Sequence, residues 1–227
     1  TREGGEGKEE GKEDITLYVS RFTFHALRTM KGVLVMSVAT PRLRRFSRAE
    51  YLKMAEAGIF VPDERTELIE GEILKMAPQK SSHATAVMIV ADALRSVFTR
   101  GYVVRTQVPL DLNEISEPEP DVIVVSGAQR DYKDAHPTTA LLVVEVSDTT
   151  LAYDRNYKAS LYAKSGIADY WIVNLVQRRL EVYRVPKPMA DMLFDYGYGQ
   201  ITYYAEDEEV VPLASPQSAI AVAELLP

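Results

Sequence analysis

Residues 141–150 read Leu-Leu-Val-Val-Glu-Val-Ser-Asp-Thr-Thr. A near-continuous apolar run of this length reads as a strand covered on both faces of a sheet. Glu145 breaks the run, and an ionised carboxylate in such a strand is costly unless it is paired or binds a cation. Side chains alternate along a strand, so Glu145 and Ser147 share a face. A second run, Asp121-Val-Ile-Val-Val-Ser126, has the same character. It begins with Asp121 directly after Pro120, whose fixed φ keeps the chain extended. Each of two buried strands therefore carries one acid where the strand meets an opening.

Outward from these strands the chain divides into recognisable elements. Ser47-Arg-Ala-Glu50 is a capping box that opens a short helix to about Ala57, ended by Gly58. Residues 65–78 alternate around Glu70-Gly71 and predict a hairpin. Ser81 and Ser82 suit the start of a long helix, with Val87, Ala91, Leu94 and Phe98 on one side and Gly101 closing it. Residues 102–112 read as a strand, 116–120 as a stiff break and 131–139 as a loop. A helix is expected from Asp154, with Tyr157, Leu161 and Tyr162 on its apolar line and a stop at Gly166. Residues 169–174 and 180–185 form a hairpin about Val176-Gln177-Arg178. A further strand is expected at 200–206, and a short strand or turn within 212–227. The order implies a mixed α/β, or α+β, fold with a central mixed sheet flanked by helices.

The chain has 227 residues, a length that suits one domain, and residues 41–227 are read as that domain. Residues 1–14 are rich in Glu, Gly and Lys and nearly free of apolar groups, a composition that does not fold alone. Met36 opens what looks like a fresh start, so residues 1–40 are read as a disordered or non-native extension. The apolar part of 30–41 is too short for a secretory signal, and no run approaches a membrane span. Cysteine is absent, which excludes disulfides and thiolate metal sites and fits a reducing, cytoplasmic setting. The net charge of −7 argues against gripping nucleic acid by bulk electrostatics, but not against holding it locally.

Two carboxylates converging from neighbouring strands make a hard, oxygen-rich site suited to Mg²⁺ or Mn²⁺. A cation there could polarise a phosphodiester and activate a water. Lys158 follows Glu145 by 13 residues (158 − 145) and lies on the helix that would pack back over the sheet. Its ammonium could stabilise developing charge or orient the attacking water. Each residue also has a plainer reading. Asp121 could be a strand-start cap, Glu145 could pair with an arginine such as Arg155, and Lys158 could be a solvated partner of Asp154 at i,i+4. His83 could simply cap or hydrogen-bond, and Tyr170 and Trp171 read as core.

The ordered set ELIEGEILKMAP (67–78), SSH (81–83), EPEPDVIVV (117–125), LLVVEVSDTT (141–150), DRNYKASLYAKSGIADYWIVN (154–174) and RRLEVYR (178–184) resembles the Uma-two family, once catalogued as a domain of unknown function. That family is placed among the endonucleases of the restriction-endonuclease-like, PD-(D/E)XK superfamily. The resemblance covers about residues 45–185. It implies Pro120-Asp121 as the PD element and Glu145-Val146-Ser147 as the (D/E)XK element. Ser147 stands where the superfamily has lysine, and the resemblance makes Lys158 its stand-in. It further implies Glu67 as an additional acid, the main-chain carbonyl of Val146 as a metal ligand, and accessory places for His83, Ser147 and Asp154.

The function expected is a Mg²⁺- or Mn²⁺-dependent endonuclease acting on nucleic acid, DNA ahead of RNA. Two alternatives stand beside it. One is a catalytically inactive module of the same fold that binds nucleic acid or protein. The other is a metal-dependent hydrolase acting elsewhere. The 169–185 hairpin suggests a surface through which two copies could pair as a homodimer, and no membrane partner is expected.

Overall fold

The two acid-bearing runs lie side by side in the computed structural model, which describes residues 42–62 and 64–227. The readings made for residues 1–40 fall outside the described residues. Strand β4 (Val122–Ser126) pairs antiparallel with β5 (Leu142–Ser147), with Ile123 opposite Val143 and Val122 opposite Val144. They sit inside a six-stranded sheet of order β3-β4-β5-β6-β7-β8, completed by β3 (Tyr102–Thr106), β6 (Asp169–Asn174), β7 (Arg179–Pro188) and β8 (Tyr196–Ala205). Only β5 and β6 run parallel, and a helical crossover joins them. The sheet is thus mixed and the fold is α/β, as the sequence pattern implies.

Alternation along the strands builds two cores. Val104, Val122, Val124, Val144, Val146, Trp171 and Val173 face α2 (Ser81–Val97) and the C-terminal turn Val222–Leu225. Val103, Ile123, Val143, Tyr170 and Ile172 face Leu161 and Tyr162 of the crossover helix. Helices cover both faces, which is why β4 and β5 carry no polar alternation. Glu145 belongs to the second face, under the crossover helix.

The capping box at Ser47 forms as expected and opens α1 (Arg48–Glu56). The predicted hairpin is β1 (Thr66–Ile69) with β2 (Glu72–Lys75). Its turn residues, Glu70 and Gly71, have φ of 50° and 79°. A Cβ on Gly71 would fall 2.5 Å from Arg45 Cβ and 3.1 Å from Phe46 backbone, so this position needs glycine for both reasons. The hairpin docks on residues 115–117: Glu117 N–H donates to Leu68 O at 2.6 Å and Gly71 N–H to Ile115 O at 2.8 Å. That docking carries Glu67 inward.

Several boundaries differ from expectation. The strand read over 102–112 ends at Thr106, because Gln107 turns into the left-handed region (φ 51°) and its N–H bonds back to Pro120 and Asp121. The long helix takes Lys80, without a side-chain cap, as its first boundary residue, so Ser81 and Ser82 lie inside it. The crossover helix starts before Asp154. It comprises α3 (Leu151–Tyr153), a π turn (Asp154–Lys158) and α4 (Ala159–Lys164) without interruption. The tail holds β9 (Glu209–Val210) paired with β10 (Ile220–Ala221). Among the described residues no helix is long and apolar enough to cross a membrane.

Candidate active site

The β4–β5 ladder stops at Val122 and Val144, and the acids take over where it stops. Asp121 Oδ2 accepts the N–H of Val146 at 2.9 Å, standing where the next carbonyl of β4 would be. In return Glu145 Oε2 accepts the N–H of Asp121 at 3.2 Å. The two carboxylates are therefore locked to each other's backbone, with Asp121 Oδ1 also receiving Gln107 Nε2 at 3.3 Å and facing His83 Nε2 at 3.1 Å. Asp121 does cap a strand end, so its plain reading describes one of its oxygens.

Lys158 comes down on this pair from the crossover. Its ammonium is 2% exposed and lies 2.8 Å from Glu67 Oε2, 2.9 Å from Glu67 Oε1 and 3.3 Å from Glu145 Oε1. Glu145 Oε1 also accepts the Tyr162 hydroxyl at 2.7 Å. Glu67 Oε1 also accepts the N–H of Glu119 at 3.1 Å, while buried Glu67 Oε2 meets the Lys158 ammonium at 2.8 Å. The expected Lys158–Asp154 pair does not form. Lys158 turns instead to Glu67 and Glu145, and Asp154 accepts the Thr150 hydroxyl at 2.7 Å.

Asp121, Glu145, Val146, Glu67, Lys158, Asp154 and His83 all line one cleft that opens to solvent. Ser147 does not line it. Ser147 is fully buried beside Thr150, with the two hydroxyl oxygens 3.4 Å apart. Arg155 does not reach Glu145, because it forms a two-pronged pair with Glu181 at 2.5 and 2.8 Å. The plain reading of Glu145 as a paired acid holds with a different cation, Lys158.

Crowding of acids sets the electrostatics. Burial pushes the Glu145 carboxyl up to about 8; Lys158 opposes the rise, while Asp121, Asp154 and Glu67 add to it. Burial likewise raises Asp154 to about 6 against the Thr150 hydroxyl and Lys158. The hydrogen bond to Asp121 raises His83. Lys158 is buried but its acid neighbours, Glu145 and Glu67, hold it charged, well above the ordinary lysine range.

Among the described residues no three acid or imidazole side chains form a ready cage for an ion. Magnesium does not need one: it usually takes one or two carboxylates and keeps several waters. The lining donors are hard carboxylate and carbonyl oxygens, brought together by Asp121, Glu145, Glu67 and Asp154. These residues fit a hard, partly hydrated dication.

The family model Uma2, described as "Putative restriction endonuclease", matches residues 48–222. The chain belongs to the Uma2 family. A crystal structure of "a putative nuclease belonging to DUF820" from Anabaena variabilis ATCC 29413 is similar in fold, with a TM-score of 0.57 and 15% identity, covering 79% of this chain and 97% of that one. No curated protein matches the chain. The resemblance read from ordered motifs is thus the family that the Uma2 model finds.

Other residues of this Uma2 chain at the cleft escaped the sequence reading. Tyr162 read as apolar packing, and only its place four residues after Lys158 hints at a shared face. Gln107 gives no local signal, since its role depends on a left-handed backbone that a non-glycine rarely adopts. Lys80, Asp148, Thr149 and Tyr153 also line the cleft.

The raised Glu145 value has a measurable consequence. Between its ordinary value of 4.5 and about 8 the native metal-free protein binds a proton that the unfolded chain does not. Stability then falls as pH rises through that window. Urea unfolding in EDTA from pH 5 to pH 9 is expected to show this decline, and Glu145→Gln is expected to flatten it.

Proposed function

We propose that this chain is a divalent-metal-dependent nuclease that hydrolyses phosphodiester bonds in nucleic acid, DNA ahead of RNA. The observation that carries the reading is the reciprocal lock of Asp121 and Glu145 at the floor of an open cleft, with a buried ammonium beside them. Membership of the Uma2 family supports it, and restriction-endonuclease-like proteins generally use divalent metals.

Asp121, Glu145 and the carbonyl of Val146 would hold the ion. A bound Mg²⁺ or Mn²⁺ supplies Lewis-acid polarisation of the phosphate and a more acidic water. Gln107 and His83 fix Asp121 Oδ1, and Tyr162 fixes Glu145 Oε1, so the ligand carboxylates do not reorient as the substrate arrives. Lys158 places its positive charge beside the phosphate as negative charge builds on the oxygens. Glu67 holds that ammonium in place from the opposite side.

A second reading, a module that binds without cutting, is favoured by one feature: Lys158 already occupies the space between Glu67 and Glu145 and pairs with both. One experiment separates the two. Purified wild-type chain is incubated with duplex DNA, single-stranded DNA, RNA and a small phosphodiester, in Mg²⁺, Mn²⁺ or EDTA. Cleavage of DNA that needs the metal is expected. No cleavage of any substrate, together with no Mn²⁺ binding by calorimetry, overturns the nuclease reading.

A further inference from the structure

Arg105 is the one strongly basic side chain facing the same side of the sheet as the candidate site whose guanidinium has no partner among the described residues. It lies on β3 opposite Ile123 and alternates with Val103, so it faces the side that carries Asp121 and Glu145. By strand geometry its Cα lies roughly 8 Å from that of Asp121, one strand over and two residues along. Nη1 is buried with no hydrogen-bond acceptor, and no nitrogen of the group donates to, or ion-pairs with, any described residue. A buried guanidinium nitrogen without an acceptor costs free energy that most proteins avoid.

The group is nevertheless held in place. It stacks on the Tyr132 ring, 5.0 Å from the centroid, and Tyr132 is pinned by its own hydroxyl, which donates to Ser126 O at 2.5 Å. His136 is close enough that burial, and then the charge of Arg105, lower its pKa. His136 and Tyr132 line a separate groove with Thr138 and Thr139, next to Arg105. Gln107, two residues after Arg105, reaches Asp121 itself, so this corner is joined to the cleft. A planar guanidinium held over a ring with its donors uncommitted is built for an oxyanion with several acceptor oxygens.

We propose that Arg105, supported by Tyr132 and bordered by His136, is a phosphate-binding site for the nucleic-acid backbone, receiving a phosphate next to the one cut in the cleft. This rests on the nuclease reading above and adds to it a fixed path for the strand, from the carboxylates across β4 to β3. The net charge of −7 makes such a local contact matter more, since the surface as a whole repels the polymer.

The test is fluorescence anisotropy of a labelled 20-base-pair duplex and a 20-nucleotide single strand with Ca²⁺, over a salt series, for wild type, Arg105→Lys and Arg105→Met. Arg105→Met is expected to bind about tenfold more weakly and to lower the slope of log K against log salt by about 1. Arg105→Lys keeps the charge and is expected to keep most of the slope. If Arg105→Met fails to fold, arginine-selective modification of the wild-type chain, read by mass spectrometry, replaces it: saturating DNA is expected to protect Arg105. Unchanged affinity and slope in folded Arg105→Met, or equal modification with and without DNA, makes Arg105 a prop for its loop and overturns the site. A wild-type chain that binds no nucleic acid overturns both this site and the nuclease reading. A wild type that binds and cuts while Arg105 is indifferent overturns this site alone.

Discussion

Glu145→Gln is expected to fold and to lose metal-dependent cleavage by at least about 10³-fold, some 4 kcal/mol of transition-state stabilisation. The two halves of this expectation have separate causes. Glutamine fills the same space and keeps the oxygen that faces Tyr162 and Lys158, giving up the long 3.2 Å bond from the Asp121 N–H, so the packing under the crossover helix survives. Burial already disfavours the charged form of Glu145 in the metal-free protein, so an amide there adds no new buried charge. What glutamine cannot supply is the anionic oxygen that a dication displaces a proton to reach. Calorimetry with Mn²⁺ checks this directly. Binding by wild type and none by Glu145→Gln assigns the acid to the ion, whereas equal binding moves the ion elsewhere and sinks the assignment.

Lys158→Met carries the second large effect, this time on stability. Breaking a buried ion pair from one side typically costs about 3–5 kcal/mol, because the remaining charge has no compensation. Here two acids, Glu67 and Glu145, lose their shared cation. Without that cation both acids would be ionised in the native state only at a high cost. The sign follows: the variant is least handicapped at acid pH, where both acids are protonated, and its deficit grows as pH rises. Urea unfolding at pH 5 and pH 8 measures the difference. Mn²⁺ is expected to recover part of the lost stability at pH 8, since a cation in the cleft would replace the missing ammonium. A deficit independent of both pH and Mn²⁺ would mean that the side chain acts by packing alone.

Much of this was legible before any coordinates. The unbroken apolar runs on β4 and β5 announced a sheet covered on both faces, and α2 and the crossover helix do cover it. The capping box at Ser47 and the Glu70-Gly71 turn are local patterns whose physics sits within four residues, and both appear where the sequence placed them. Asp121, Glu145, Glu67 and Lys158 were singled out and do share one cleft. What they bond to was not legible. Lys158 pairs across 91 residues with Glu67 and not with its neighbour Asp154, and Arg155 is taken by Glu181. Such choices depend on helix phase and on which loop docks where, and these are properties of the assembled sheet. The strand predicted over 102–112 fails for the same reason: Gln107 leaves the ladder to bond with Pro120 and Asp121, a long-range demand that overrides local strand preference.

The π turn at Asp154–Lys158 has a consequence for how this chain tolerates change. A π turn amounts to an α-helix with one residue too many. An α-helix advances about 100° per residue, and the widened turn absorbs the extra residue, so α3 and α4 keep the phase they would have without it. Deleting exposed Asn156 would alter no side chain that lines the cleft. It would let α3 run into α4 as one regular α-helix, a far milder change than Lys158→Met. A change of length that a regular helix could not absorb is thus tolerated in this one segment.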